Sequence, residues 1–185
     1  MAVAILSMLP YIAIARSKHL PYLTRNIVVG IHNEYKCITS EGIAKRYAVY
    51  EESDCIAEPQ TFVEIARQAS VEAFGEDLVA MVVKTGKGFH IYLDLWTDSF
   101  LDSLLLASRY RNHLPCLCRD ENHVYNSIII LMDYKWERYI LRVSPTKHTG
   151  DTFTVVYRKS SRDECHEAFL KEIESLYKAF PFPVP

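Results

Sequence analysis

The residues of this chain that carry the most chemistry fall in three short stretches. Val49-Tyr50-Glu51-Glu52-Ser53-Asp54 ends an apolar run in acids. Thr85-Gly86-Lys87-Gly88-Phe89-His90-Ile91-Tyr92 sets a lysine and a histidine around a glycine-rich turn. Met132-Asp133 precedes the basic stretch Leu141-Arg142-Val143-Ser144-Pro145-Thr146-Lys147-His148-Thr149-Gly150. Brought to one point, Glu52, Asp54 and Asp133 would give hard oxygen ligands to two divalent ions, which bridge, neutralise and align a triphosphate for in-line attack by a hydroxyl. Thr85, Lys87 and His90 on one side, and Arg142, Lys147 and His148 on the other, would offer backbone N–H groups and cations to the phosphates. Each piece alone has a plainer reading. Thr-Gly-Lys-Gly is a hairpin turn, the acids are a solvated strand edge, and His90 is a surface histidine. Joint placement on one sheet face is what carries the functional reading.

The elements that must position these residues follow from periodicity and punctuation. Residues 46–52 read as a strand, and Pro59 with Thr61-x-x-Glu64 opens a helix whose apolar positions Phe62, Ile65, Ala66, Ala69 and Ala73 recur at helical spacing until Gly75. Residues 78–84 form a second strand, 85–88 a tight turn, and 89–96 a third strand running back beside it. Asp98 caps a helix to about residue 111, with Phe100, Leu101, Leu104 and Leu105 on one face, and 127–133 is the next strand. Two further strands, 139–143 and 152–157, precede a last amphipathic helix that Ser161-x-x-Glu164 caps and that reaches 179. The expected fold is α+β, an RRM-like βαββαβ antiparallel sheet with both helices on one face and the other face free for ligands. Residues 1–185 are expected to form one domain, with an N-terminal lobe over 1–44, the core over 45–160 and a C-terminal helix over 161–180.

Alternation in the third strand puts Phe89, Ile91, Leu93 and Leu95 against the helices, and His90, Tyr92 and Asp94 on the opposite face. In the first strand two registers are open. Glu52 with Asp54 supplies two acids to the ligand side, whereas Glu51 with Ser53 supplies one; we take the former. Asp133 is expected on a strand flanking the first.

At these residues the chain resembles the archaeo-eukaryotic primase superfamily, which includes the primase small subunit and plasmid or viral primase-polymerases. The resemblance covers about residues 45–150 and rests on the paired acids, the Ser-Gly-x-Gly-x-His-like hairpin, and the acid followed by a basic, Pro-containing segment. It implies a template-dependent nucleotidyltransferase of the DNA primase or primase-polymerase type. Glu52, Asp54 and Asp133 would hold Mg2+ or Mn2+, and His90 would touch the incoming nucleotide's phosphates. It further implies a single-stranded DNA template, nucleoside triphosphates, a primase large subunit or other replication proteins as partners, and an archaeal chromosome, plasmid or virus as source. Thr85 stands where serine is commoner, and the chain is short for a complete replicative subunit, so a minimal catalytic core and a non-catalytic accessory relative are both open. The rival from another class is an RRM-like binder of single-stranded nucleic acid, because Lys87-Gly88-Phe89 begins like that fold's third-strand consensus. His90 and Ile91 then break the pattern.

Composition sets outer bounds. With 185 residues, 49% hydrophobic, and 21 Lys+Arg against 23 Asp+Glu, the formal net charge is −2, so nucleic acid must be met by a local basic patch. His113-x-x-Cys116-x-Cys118-x4-His123 offers four soft ligands of the kind that close around Zn2+, and primase relatives often carry a zinc knuckle. Cys-x-Cys is tighter than usual zinc spacing, and ordinary loop cysteines are the other reading. Cys37, Cys55 and Cys165 are expected to be buried apolar residues. The five cysteines, an odd number without regular spacing, suggest a reducing cytoplasm. The apolar stretch 2–15, interrupted by Pro10, is expected to be a buried helix, short of the roughly 20 residues that span a bilayer. No membrane partner is expected.

Overall fold

A computed structural model describes residues 12–16, 27–120, 122–143 and 152–179. Its elements run β1 (Ile12–Arg16), β2 (Ile27–His32), β3 (Glu34–Thr39), β4 (Gly42–Ser53), α1 (Pro59–Phe74), β5 (Val79–Lys84), β6 (Phe89–Thr97), α2 (Phe100–His113), a short 3-10 turn (Cys116–Cys118), α3 (His123–Tyr134), β7 (Ile140–Arg142), β8 (Thr154–Arg158) and α4 (Glu164–Ala179). The protein is mixed α/β. Five strands form an antiparallel sheet in the order β3-β4-β6-β5-β8, and β1-β2-β7 form a second, three-stranded sheet.

The long strand β4 organises the molecule. Its first half, residues 42–47, pairs with β3 and its second half, residues 47–53, with β6, with an irregularity between Ala48 and Tyr50. Residues directly opposite across an antiparallel pair share a face, so Glu51 lies with Ile91, Ser53 with Phe89, Glu52 with His90 and Tyr50 with Tyr92. Phe89 stacks on Phe62 of α1, with ring centroids 3.9 Å apart, which makes the Phe89–Ile91 side the α1/α2 side. Helix α1 begins at Pro59, whose missing N–H costs nothing there, and ends at Gly75 in the left-handed region, whose N–H reaches the Val71 carbonyl. The expected Thr61 capping box does not form; Glu58 occupies the cap position without a side-chain bond. Ser99 rather than Asp98 caps α2, accepting from the Asp102 N–H.

Three expectations are corrected. Residues 127–133 lie in α3 and not in a strand. The run Ile128-Ile129-Ile130 favours β on propensity, but the inward positions Val124, Ser127, Ile128 and Leu131 follow helical spacing, and Asp120 Oδ1 accepts from the His123 N–H at the helix start. The edge of β4 where that strand was expected is taken by β3, and further along by Tyr139, whose hydroxyl donates to the Tyr50 carbonyl. The sheet face opposite α1 and α2 is not free. Helix α4 lies on it, stacking Phe169 on Tyr35 and burying Tyr177 against His90 and Tyr92. Finally, residues 12–16 of the apolar stretch read as a helix form β1, paired with β2; residues 1–11 lie outside the described set.

The cysteines also differ from expectation. Cys37 is bridged to Cys165, tying β3 to α4, and Cys55 to Cys118, tying the end of β4 to the 3-10 turn; Cys116 is free and exposed. Cys37 and Cys55 are buried as expected and Cys165 is half-buried, all three as bridge partners and not as free thiols. Among the described residues no helix is long and apolar enough to cross a membrane.

Candidate functional site

The β4–β6 pairing brings the first two sequence stretches together. Glu52 and His90 are directly opposite, with Oε1 of Glu52 3.7 Å from Nε2 of His90; the His90 side chain is 2% exposed and that of Glu52 38%. The imidazole is held from behind. Its Nδ1 lies 2.7 Å from the Tyr177 hydroxyl, which lies 2.7 Å from the Tyr92 hydroxyl, and Phe153 meets the ring edge-on. Burial pushes both tyrosines above their ordinary pKa, so they remain neutral hydroxyls. The geometry fixes the plane of His90 and turns its second nitrogen toward Glu52.

The hairpin closes beside this pair. Thr85 N–H donates to the Gly88 carbonyl at 2.9 Å, and Gly88 N–H donates to Thr85 Oγ1 at 3.0 Å, so the threonine hydroxyl holds the turn shut. A Cβ at Gly88 would overlap the Ser53 carbonyl oxygen, which only glycine avoids; this close crossing sets the hairpin against the end of β4. There Asp54, Ile56 and Ala57 face Lys84, Gly86 and Lys87 around an open pocket of about 580 Å³. Asp54 and Lys87 are exposed, and Lys84 lies over the Phe89 ring with its ammonium donating to the Gly88 carbonyl. One carboxylate and two ammonium groups around an open pocket suit a phosphate chain that carries a divalent ion.

On the other face of β4 a second pair forms that the sequence reading did not anticipate. Glu51 is fully buried, and its Oε1 lies 3.7 Å from Nδ1 of His123 at the start of α3 while accepting from the Glu52 N–H. Nε2 of His123 bonds the Ile140 carbonyl, and the ring stacks on Tyr139. Oε2 of Glu51 and Nδ1 of His123 make no hydrogen bond within the described residues. Burial raises the Glu51 pKa. Burial pulls His123 down, but the neighbouring Glu51 carboxylate more than offsets it and His123 titrates above its ordinary value.

Of the remaining expected site residues, Asp133 does not join the corner. Asp133 is exposed near the end of α3, about 15 Å along the helix from His123 at 1.5 Å per residue. Arg142 is placed in β7, paired with Gly30, while Lys147 and His148 lie outside the described residues. The four residues read as zinc ligands are dispersed. Cys118 is bridged to Cys55, His123 faces Glu51, His113 is 3.9 Å from Glu72, and Cys116 is at the surface. Among the described residues no group of three His, Cys, Asp or Glu side chains is placed to hold a metal ion. Asp94, expected beside His90, instead accepts from the Ser161 hydroxyl and the Arg162 N–H ahead of α4. Phe89 and Tyr92 are both buried, so neither offers a ring for base stacking.

Tyr177 and Lys84 escaped the sequence reading. The apolar stripe Phe169, Leu170, Ile173 and Tyr177 in α4 was a signal for the first, because such a stripe needs a surface to cover. No family model, curated protein or solved structure matches this chain.

Proposed function

We propose that the corner formed by Glu52, Asp54, Lys84, Lys87 and His90 binds a nucleoside triphosphate with Mg2+ or Mn2+, and that the chain is a nucleotidyltransferase of the DNA primase or primase-polymerase type. The observation that carries this reading is the Glu52–His90 register, which sets the acid-bearing strand end against the Thr85–Gly88 turn and its lysines. Mg2+ commonly reaches a protein on one or two carboxylates, with substrate phosphates and water supplying the rest, and Glu52 and Asp54 are such a pair. In this reading Lys84 and Lys87 receive the phosphates. His90, oriented by Tyr177, contacts them through Nε2. The metal, when bound, would neutralise phosphate charge and favour displacement at phosphorus. A single-stranded DNA template is the partner this activity requires, and a primase large subunit or other replication proteins are the further partners it suggests.

A second reading, nucleotide binding without chemistry in an accessory role, is favoured by one observation: the third acid, Asp133, stands apart on α3. Template-dependent incorporation assays with Mg2+ and with Mn2+ separate the two. Extension that is lost in Asp54→Asn supports the enzyme. Nucleotide binding without extension under either metal supports the accessory role, and binding of neither nucleotide nor metal overturns both.

A further inference from the structure

The Cys55–Cys118 bridge sits immediately behind this corner. Cys55 N–H donates to Ser53 Oγ at 3.3 Å, Ser53 Oγ donates to the Cys118 carbonyl at 2.6 Å, and Asp54 lies between the two linked residues. The Ser53 carbonyl is in turn the surface on which Gly88 rests. Bridge, strand end and hairpin therefore form one contiguous unit. Both bridged cysteines are buried, Cys55 6% and Cys118 4% exposed, so a dissolved thiol has poor access to either sulfur. Cys116 is exposed and belongs to the same short 3-10 turn as Cys118. Two residues of chain span at most about 7 Å, and the turn shortens that, which keeps the two cysteines within the Cα separation that a disulfide joins.

We propose that Cys116 is the attacking thiol of an internal thiol–disulfide exchange that opens the Cys55–Cys118 bridge and loosens the strand end bearing Asp54; the effect on ligand binding rests on the nucleotide reading above. The Cys116 thiolate attacks Sγ of Cys118. The Cys116–Cys118 bond forms as the Cys55–Cys118 bond breaks, and Cys55 leaves as a thiolate that takes up a proton equivalent to the one Cys116 gave up. The number of disulfides is unchanged, so no oxidant or reductant is consumed, and the reverse attack by Cys55 restores the original bridge. Exchange also moves the bridge from a buried place to an exposed one. There a dithiol can reduce it, the protein gaining two thiols as the dithiol closes to a cyclic disulfide. Freed from Cys118, Cys55 no longer anchors the segment that carries Asp54, Ile56 and Ala57, the β4 side of the pocket.

The test uses the full chain, wild type and Cys116→Ser, the latter changing only an exposed side chain. Both are treated with limiting dithiothreitol, quenched in acid, alkylated and mapped by mass spectrometry. Hydrogen exchange over residues 53–57 and 85–89 and titration with Mn2+·ATP follow on the same samples. The expected result is bridge opening at least tenfold faster in wild type, through a species with Cys55 alkylated and Cys116 joined to Cys118, with faster exchange at 53–57 and weaker Mn2+·ATP binding once the bridge is open. Equal opening rates in the two proteins, or opening that leaves exchange at 53–57 unchanged, would overturn the proposal. Mn2+·ATP bound equally in both states would remove its link to the ligand. Mn2+·ATP bound in neither state would sink the nucleotide reading while the mass and exchange results still judge the exchange itself.

Discussion

Glu51 and Glu52 are neighbours in one strand, and each has a histidine 3.7 Å from its carboxylate, yet the two pairs sit in opposite worlds. Glu51 points to the helical side, where it is completely buried beside the largely buried His123, and among the described residues each partner leaves one polar atom without a hydrogen bond. Glu52 points to the α4 side. Its histidine is buried and doubly held through Tyr177 and Tyr92, while the carboxylate itself reaches solvent beside the hairpin pocket. The same residue types at the same distance thus give an interior pair whose acid is costly to ionise and an accessible acid whose partner is rigidly aimed. Pairing alone does not mark a ligand site. What separates the two is that one carboxylate can still exchange its neighbours for a ligand.

The contrast can be broken at its common support. Gly88→Ala forces a methyl group into the Ser53 carbonyl, and overpacking at a backbone contact is expected to cost about 3 kcal/mol, read by chemical denaturation, with nucleotide binding lost as the hairpin shifts. Unchanged stability would mean that the hairpin and β4 do not cross as described. Removing the support on one side only is next. Tyr177→Phe leaves Nδ1 of His90 and the Tyr92 hydroxyl without their shared partner, an expected loss of about 2 kcal/mol, while the Glu51–His123 side is untouched. A neutral outcome would show that α4 does not orient the histidine.

Two smaller effects sharpen the comparison. His90→Ala is expected to weaken ATP binding about tenfold, or about 1.4 kcal/mol, and single-stranded DNA binding less; equal losses would indicate a general nucleic-acid surface. The interior pair should instead register in the pH dependence of stability. Because His123 titrates above 6.5 when folded, its contribution is fully present below pH 6.5 and is lost as pH rises through the higher folded value. The unfolding temperature of wild type should therefore decline as pH rises above 6.5, and His123→Gln should flatten that part of the curve without altering ATP affinity. An identical slope in the variant would contradict the raised titration.

Local signals made the β4–α1–β5–β6–α2 run readable: the 78–84 and 89–96 stretches flank a glycine turn, and Gly75 stops a clean helical stripe. The choice of Glu52 over Glu51 for the His90 face was readable as well, because alternation in the two strands is consistent with a single register. Asp133 was misplaced because three successive isoleucines weigh toward β, whereas the deciding evidence was the wider spacing from Val124 to Leu131. Helix α4 was found but not its resting place. Amphipathicity says that a face must be buried without saying against what, and Tyr177 meets His90 across 87 residues of chain. The cysteine bridges were unreadable for a similar reason, since separations of 128 and 63 residues leave no local trace.

The central claim, that Glu52 belongs to a ligand site and Glu51 to the interior, is tested most directly by calorimetric titration of Mn2+·ATP into wild type, Glu51→Gln and Glu52→Gln. Glu52→Gln should lose at least tenfold in affinity with unchanged thermal stability, because a half-exposed acid contributes little to the fold. Glu51→Gln should bind as wild type does and shift only in stability, its amide oxygen still able to accept from the Glu52 N–H. Loss of affinity confined to Glu51→Gln would contradict the account.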